Sequence, residues 1–315
     1  MDNKKKNQWN SIYLLMLFVP LFWGGSFSTA EHVVTEIPSL VAATIRFALA
    51  GIILMIYVTI KSEWNINVLK KRWKGLLLVS LTGIFGYNAF FFLGLNYTSA
   101  INGSLIIATM PVFVTLGAVL FLRETWSSKI GISLVLSLIG VIIVITKGSL
   151  DTFLSLSFNK GDLLFIAALT CGVLYSLVGK AVMIDVSPLF ATTIMTLIGS
   201  IFLAISSFFE GGWETVPSLS LQGWLEMFYM VVCGTLIGYI IFNKGVEQIG
   251  ASKTSIYLNL TPIVTTLFSV MLYSSTITWK QILGMIMVLM GVYIATSKSV
   301  SKSKVFVKQR TNRRV

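Results

Sequence analysis

Charge is what this sequence has least of. Asp, Glu, Lys and Arg make up 11% of its 315 residues, against about a quarter in a typical soluble domain. Water cannot solvate the surface of a globular fold built from so little charge, so a soluble enzyme or binding module is excluded. Acids are scarcest: 12 residues, none near the middle of an apolar run, so no proton relay through a deep carboxylate is visible. The two cysteines, Cys171 and Cys233, both sit inside apolar runs, which excludes a disulfide framework and metal-ligand spacing. Zincin, CxxC and nucleophile-elbow patterns are missing. Gly245-Val246-Glu247-Gln248-Ile249-Gly250 opens like a phosphate loop, but Lys253-Thr254 comes too late and no strand precedes it. No cofactor and no metal are therefore expected.

What is abundant is apolar length. Hydrophobic residues make up 55% of the chain and mean hydropathy is +0.84. Ten runs stand out, at 11–30, 38–60, 75–96, 100–122, 129–146, 161–182, 187–209, 221–242, 251–273 and 281–296. Each approaches the roughly 20 residues that cross a bilayer as a helix, and helices satisfy their own backbone in hydrocarbon. The first run comes after Lys4, Lys5 and Lys6 like a signal peptide, but it is long and lacks a clean cleavage site, so it reads as a retained helix. Runs three and four, and eight and nine, are so close together that they read as tight helical hairpins.

The net charge of +12 looks at first like a nucleic-acid signal, but its distribution says otherwise. With both termini in the cytoplasm, 20 of the 24 Lys and Arg fall on the inner side and three outside (Lys147, Lys160 and Lys280), while seven acids lie outside. That asymmetry orients membrane helices. It places Lys4 and Arg313 inside, and Glu36, Asp151 and Glu214 outside. The expected location is the cell membrane, multi-pass. The basic tail at 299–315 either touches anionic lipid or is a solvated charge run.

A fixed offset of 151 residues pairs Gly94 with Gly245, Ala100 with Ala251, Ser104 with Ser255, Pro111 with Pro262, Thr115 with Thr266, and Gly140-Val141 with Gly291-Val292. Each unit holds five runs, an odd number, so the second enters the membrane from the opposite side. The expected fold is an all-α integral membrane protein of ten transmembrane helices, two inverted five-helix repeats at 1–147 and 160–298 around a central cavity. Inverted repeats permit two nearly equivalent packings, one open to each side, with the substrate near the midplane.

These residues resemble the EamA-type transporters of the drug/metabolite transporter superfamily. The likeness is carried by Trp23-Gly24-Gly25-Ser26-Phe27, Arg46-Phe47, the hairpin Gly94-Leu95-Asn96-Tyr97-Thr98-Ser99-Ala100, Pro111, Arg123-Glu124 and Gly140-Val141. The second half repeats it with Gly245, Gly250-Ala251-Ser252, Pro262 and Gly291-Val292, and departs near Ser274-Ser275, where Arg123-Glu124 has no charged counterpart. The resemblance implies transport of metabolites such as amino acids or related compounds, often as efflux.

Polar and aromatic residues deep in the runs are the candidate substrate contacts: Trp23, Tyr87, Asn88, Tyr175, Tyr239, Asn243 and Asn259, with Tyr257 beside the last. Amides and phenols offer donors and acceptors to a zwitterion or a planar ring; the same groups also join helices to one another. Arg46 is the one cation well inside a run, and two readings of it stay open. It faces the cavity and attracts a carboxylate or phosphate, or it snorkels and locks the first two helices. Gly24, Gly25 and Gly238 read as close-packing positions that can also bend, and Pro111 and Pro262 each free a backbone carbonyl. His32 lies at the outer end of the first run as an interfacial residue with the potential of a pH switch. Asn96-Tyr97-Thr98 and Asn102-Gly103-Ser104 match glycosylation sequons but hug the membrane. The expected partners are a small-molecule substrate and the lipid bilayer, not nucleic acid; monomer and homodimer both stay open. A receptor without transport and an intramembrane lipid-modifying enzyme are the alternatives, and the enzyme lacks the deep acids or histidines it would need.

Overall fold

The computed structural model describes residues 11–98, 100–154, 159–273 and 277–296. Lys4, Lys5, Lys6, Arg313, the tail at 299–315 and the Ser274-Ser275 connection lie outside the described residues. Among those described there is no strand, and nine helices are long and apolar enough to cross a membrane. They are α1 (Ser11–Glu36), α2 (Ser39–Ile60), α3 (Ile66–Leu95), α4 (Leu105–Leu122), α5 (Ser128–Ile145), α6 (Lys160–Val182), α7 (Pro188–Glu210), α8 (Leu221–Ile249) and, last in sequence, Trp279–Thr296. The remaining run is helical but broken. It comprises Ala251–Ile256, a 3-10 turn Tyr257–Leu260 and Thr261–Tyr273, together called α9. Trp279–Thr296 is then α10.

Some boundaries exceed the apolar runs. α1 continues through Glu31, His32 and Glu36 because helix geometry persists where the chain leaves hydrocarbon. α3 begins at Ile66, well before the apolar stretch, because Asn65 caps it by accepting from the Val68 N–H at 3.0 Å. Its 30 residues span about 45 Å at ~1.5 Å each, more than the ~30 Å of hydrocarbon. The basic turns Lys70 to Lys74 therefore extend into the interface. There Arg72 pairs with Asp185 in the α6–α7 connection, and this guanidinium holds the Asp185 carboxyl below its ordinary range.

Helix geometry is interrupted at related places. α3 carries a π-helical segment at Ser80–Gly86 and α8 carries one at Met230–Ile237. α4 breaks into a turn at Ala108 and Thr109, just before Pro111, and the 3-10 segment of α9 stands just before Pro262. A proline removes one i−4 hydrogen bond and clashes with the preceding turn, so each break sits where its proline demands it.

α2 lies along α7, α5 along α10, α1 against α8 and α9, and α6 against α3 and α4. The α5–α10 contact is close because both helices present glycine. A methyl group on Gly140 would lie 2.6 Å from the Gly284 carbonyl oxygen and 2.9 Å from the Val288 nitrogen. One on Gly291 would sit 2.8 Å from the Ser133 carbonyl. Adding or subtracting 151, the separation of the Asn88–Tyr239 pair, exchanges Gly140/Gly284 with Gly291/Ser133. The obstacles are backbone atoms that no rotamer change can clear. Gly140→Val is therefore expected to cost about 1–3 kcal/mol or more by overpacking, seen as a lower thermal midpoint of the purified protein. A midpoint equal to wild type would show that the two helices separate freely.

Candidate functional site

Seven helices line one internal cavity, among them α4 through Ile107 and Met110 and α9 through Leu258. α1 supplies Trp23 and Ser26, α2 Arg46, α3 Tyr87 and Asn88, α6 Tyr175, and α8 Tyr239. Six of the eight residues expected from sequence to contact substrate thus line one space. The other two do not. Asn243 stands behind the wall, where its Oδ1 accepts from the Tyr175 hydroxyl at 2.6 Å and its Nδ2 donates to Thr192 Oγ1 at 2.9 Å. Asn259, in the 3-10 segment of α9, is buried and its Oδ1 has no hydrogen-bond partner among the described residues.

The free space is small, about 60 Å³, room for on the order of four waters at ~10–15 Å³ each. Its walls are mostly aromatic. The Trp23 ring lies 5.2 Å from both the Tyr239 and Phe242 rings, and Tyr175 stacks on Phe242 at 5.8 Å. Trp23 is held by its Nε1–H, which donates to the Gly234 carbonyl at 2.8 Å. Gly234 lies in the π-helical part of α8, so the irregular turn offers a carbonyl sideways. The matching turn of α3 does the same: the Gly83 carbonyl accepts from the Asn88 amide and the Tyr239 hydroxyl, each at 3.3 Å. Asn88 Nδ2 also donates to the Tyr239 hydroxyl at 3.3 Å, a bond between α3 and α8.

Arg46 is 4% exposed. Its Nε donates to Thr235 Oγ1 at 2.9 Å and its guanidinium carbon sits 4.9 Å from the centre of the Phe47 ring. Thr235 in turn donates to the Met230 carbonyl at 3.1 Å. No carboxylate pairs with Arg46 among the described residues. Thr235 is the functional neighbour that sequence reading missed. Gly238 showed there as a close-packing position, and the hydroxyl three residues before it was the available signal.

The expected bending glycines are closely covered. A methyl on Gly24 would meet Val264 at 2.9 Å, one on Gly25 would collide with the Tyr229 hydroxyl, and one on Gly238 would lie 2.7 Å from Trp23 Nε1. His32 is remote from the cavity. Its Nδ1 lies 2.7 Å from Glu226 and its Nε2 3.5 Å from Glu36, joining the adjoining ends of α1 and α8.

An all-helical bundle with several membrane-length helices and a buried aromatic cavity holding one guanidinium defines a multi-pass membrane protein of the transporter class. The chain belongs to the EamA-like transporter family, whose model matches residues 10–146 and again 159–297. Among curated relatives, the uncharacterized transporter YyaM of Bacillus subtilis is 32% identical over 286 residues, covering 91% of this chain and 93% of the relative. An uncharacterized transporter of Archaeoglobus fulgidus is 27% identical over 297 residues, covering 91% and 99%. A solved crystal structure with 16% identity superposes with a TM-score of 0.73 over 91% of this chain and 97% of the other, a likeness of fold alone.

Proposed function

We propose that this protein is a secondary transporter that moves a small organic metabolite, an amino acid or related compound, out of the cell by alternating access. In this reading α9 is the tenth crossing, and 1–147 and 160–298 are two five-helix repeats of opposite orientation. Both termini face the cytoplasm of a cell-membrane protein, and 299–315 is a basic tail. Trp23, Arg46, Tyr87, Asn88, Tyr175 and Tyr239 contact substrate, with Asn243 and Asn259 supporting. Gly24, Gly25, Pro111, Gly238 and Pro262 lie where helices bend between the two states.

The observation that carries this reading is the cavity itself. It is bounded by α1, α2, α3 and α4 from one half and α6, α8 and α9 from the other, and it is crossed by the Asn88–Tyr239 bond between positions 151 apart. The twofold matching of the family model and the recurrence of π-helical and proline-linked breaks support the repeat. Broken helices at a repeat interface are where transporters of this architecture bind solutes.

The test compares uptake and efflux of a metabolite panel by intact cells with and without the protein. At least one metabolite is expected to move only when the protein is present. Asn88→Ala should reduce that flux at least tenfold at unchanged membrane abundance. Flux that is independent of the protein for every compound, or unaffected by Asn88→Ala, would overturn the reading.

A further inference from the structure

We propose that the substrate is a small monoanion, a carboxylate on an apolar or aromatic body, and that Arg46 is its anchor. This rests on the transport reading and narrows its amino acids and related compounds to related carboxylates that lack the α-ammonium group.

Arg46 carries a charge that no acid in the cavity wall balances among the described residues. A guanidinium stays protonated at any biological pH. Arg46 is buried at 4% exposure, and burying a charge without a partner is costly. In folded proteins that cost is usually met by a carboxylate. Here none serves: among the described residues the ion pairs belong to His32, Lys71 and Arg72, and no acid lines the cavity. Thr235 takes only the Nε–H, and the Phe47 ring supplies a weak π contact. Among the described residues the terminal nitrogens are the part of the fork left to recognise something else. A methyl on Gly234 would lie 2.8 Å from Nη2, so glycine at that position leaves the terminal group its room. Fixing Nε while leaving the fork beside the cavity is the arrangement for bidentate recognition of a planar anion.

Charge counting narrows the class. Among the described residues Arg46 is the only Lys, Arg or His in the cavity wall, so one negative charge balances the site and a phosphate dianion would leave an excess. A cationic solute would meet the guanidinium with no acid to offset it. An α-ammonium group would find only neutral acceptors, such as Ser26, Ser176 and the tyrosine hydroxyls. A simple carboxylate therefore fits the wall better than an amino-acid zwitterion. The body of the ligand is set by Trp23, Tyr87, Phe91 and Tyr239, whose ring faces suit a flat or apolar group. Its size is set by the small free volume.

A role in holding helices together is not in conflict with this. The Arg46–Thr235 bond does join α2 to α8, but a purely structural arginine predicts no preference for the charge of a bound solute. That preference is the discriminating readout.

The experiment measures binding by calorimetry to the purified full-length protein in nanodiscs. The probes are benzoate, benzamide and benzylamine, which are similar in size and carry charges of −1, 0 and +1, with propionate and phenylalanine as further arms. The expected result is that benzoate or propionate binds at least tenfold more tightly than benzamide, benzylamine and phenylalanine. Arg46→Gln should lose at least tenfold for the carboxylate, and Arg46→Lys should recover part of the loss. If Arg46→Gln fails to fold, the wild-type charge series alone decides. Equal binding of benzoate and benzamide, stronger binding of benzylamine or phenylalanine, carboxylate binding unchanged in a folded Arg46→Gln, or no carboxylate binding at all would each overturn the proposal. Exchange of a non-carboxylate solute by proteoliposomes would then show that transport stands while the substrate class falls. Absence of all exchange would show that transport itself has failed.

Discussion

Alanine at Glu124 is expected to shift the protein toward a state open on the side that bears this residue, by about 30- to 150-fold. Glu124 comes directly after Arg123, which ends α4 in a left-handed conformation at φ 55°. That turn aims the carboxylate at the start of α9. One oxygen accepts from the Ala251 N–H at 2.9 Å and the other from the Ser252 hydroxyl at 2.5 Å. Gly250 makes the approach possible twice over. Its φ of +89° is strained for other residues, and a methyl there would come within 2.7 Å of the same carboxylate oxygen. The bonds are charge-assisted and sit at a helix N-terminus, which favours a negative group. Two bonds of ~1.5–3 kcal/mol each in a buried setting, discounted because Glu124 is partly exposed, leave about 2–3 kcal/mol. At ~1.4 kcal/mol per decade that gives the stated range.

The bridge matters because the α4–α5 turn belongs to one half and the α8–α9 turn to the other. A state in which the cavity opens between them must break it. Lys180, which donates to the Glu247 carbonyl at 2.7 Å, joins α6 to α8 within the second half and stays in place as an internal control. Spin labels at positions 126 and 248, in protein with Cys171 and Cys233 replaced by serine, report the separation. The alanine variant should populate a longer distance that wild type barely shows. An unchanged distance distribution would mean that Glu124 only caps a helix.

The second large effect is expected at Asn243. Its amide joins α8 to α6 through Tyr175 and to α7 through Thr192. Alanine there removes both bonds and leaves the Tyr175 hydroxyl buried without its acceptor. Interhelical hydrogen bonds in membrane bundles contribute about 0.6–1.7 kcal/mol each, and the deleted side chain leaves a void besides. The total loss should be on the order of 2–3 kcal/mol. Transport should fall further than stability alone dictates, because the Tyr175 ring is a wall of the cavity and Asn243 fixes its position. A double-mutant cycle with Tyr175→Phe isolates the shared bond. The expected coupling is about 1 kcal/mol in thermal stability, with transport reduced at least tenfold in Asn243→Ala. Additive single effects would remove Asn243 from its supporting role.

Much of this was legible in the sequence for simple reasons. Apolar length reports crossings, and Pro111 and Pro262 mark breaks because a missing N–H interrupts a helix wherever it occurs. Trp23, Arg46, Tyr87, Asn88, Tyr175 and Tyr239 stood out as polar or amphipathic groups in apolar surroundings, and they do share one cavity. Which way each side chain turns was less legible. A helix that is apolar all round gives no moment to orient it, and a π-helical segment adds a residue to a turn and rotates every later side chain of the helix to a new facing. Asn243 stands beyond such a segment in α8 and falls behind the cavity wall, while Thr235 lies inside it and reaches Arg46 unannounced. Glu124 was visible only as a member of a charged pair after α4; its partners lie far along the chain, and nothing local in the sequence points to them.

Alternating access requires the cavity around Arg46 to open to each side of the membrane in turn. Ser176 lines it and is buried at 1% exposure, so a cysteine there, in protein lacking Cys171 and Cys233, reports access directly. A membrane-impermeant thiol reagent is applied to oriented proteoliposomes from one side and then, separately, from the other. Modification is expected from both sides, with Glu124→Ala speeding the reaction from the side of Glu124 and slowing it from the opposite side. Modification from neither side, or from one side only in both wild type and Glu124→Ala, would contradict alternating access.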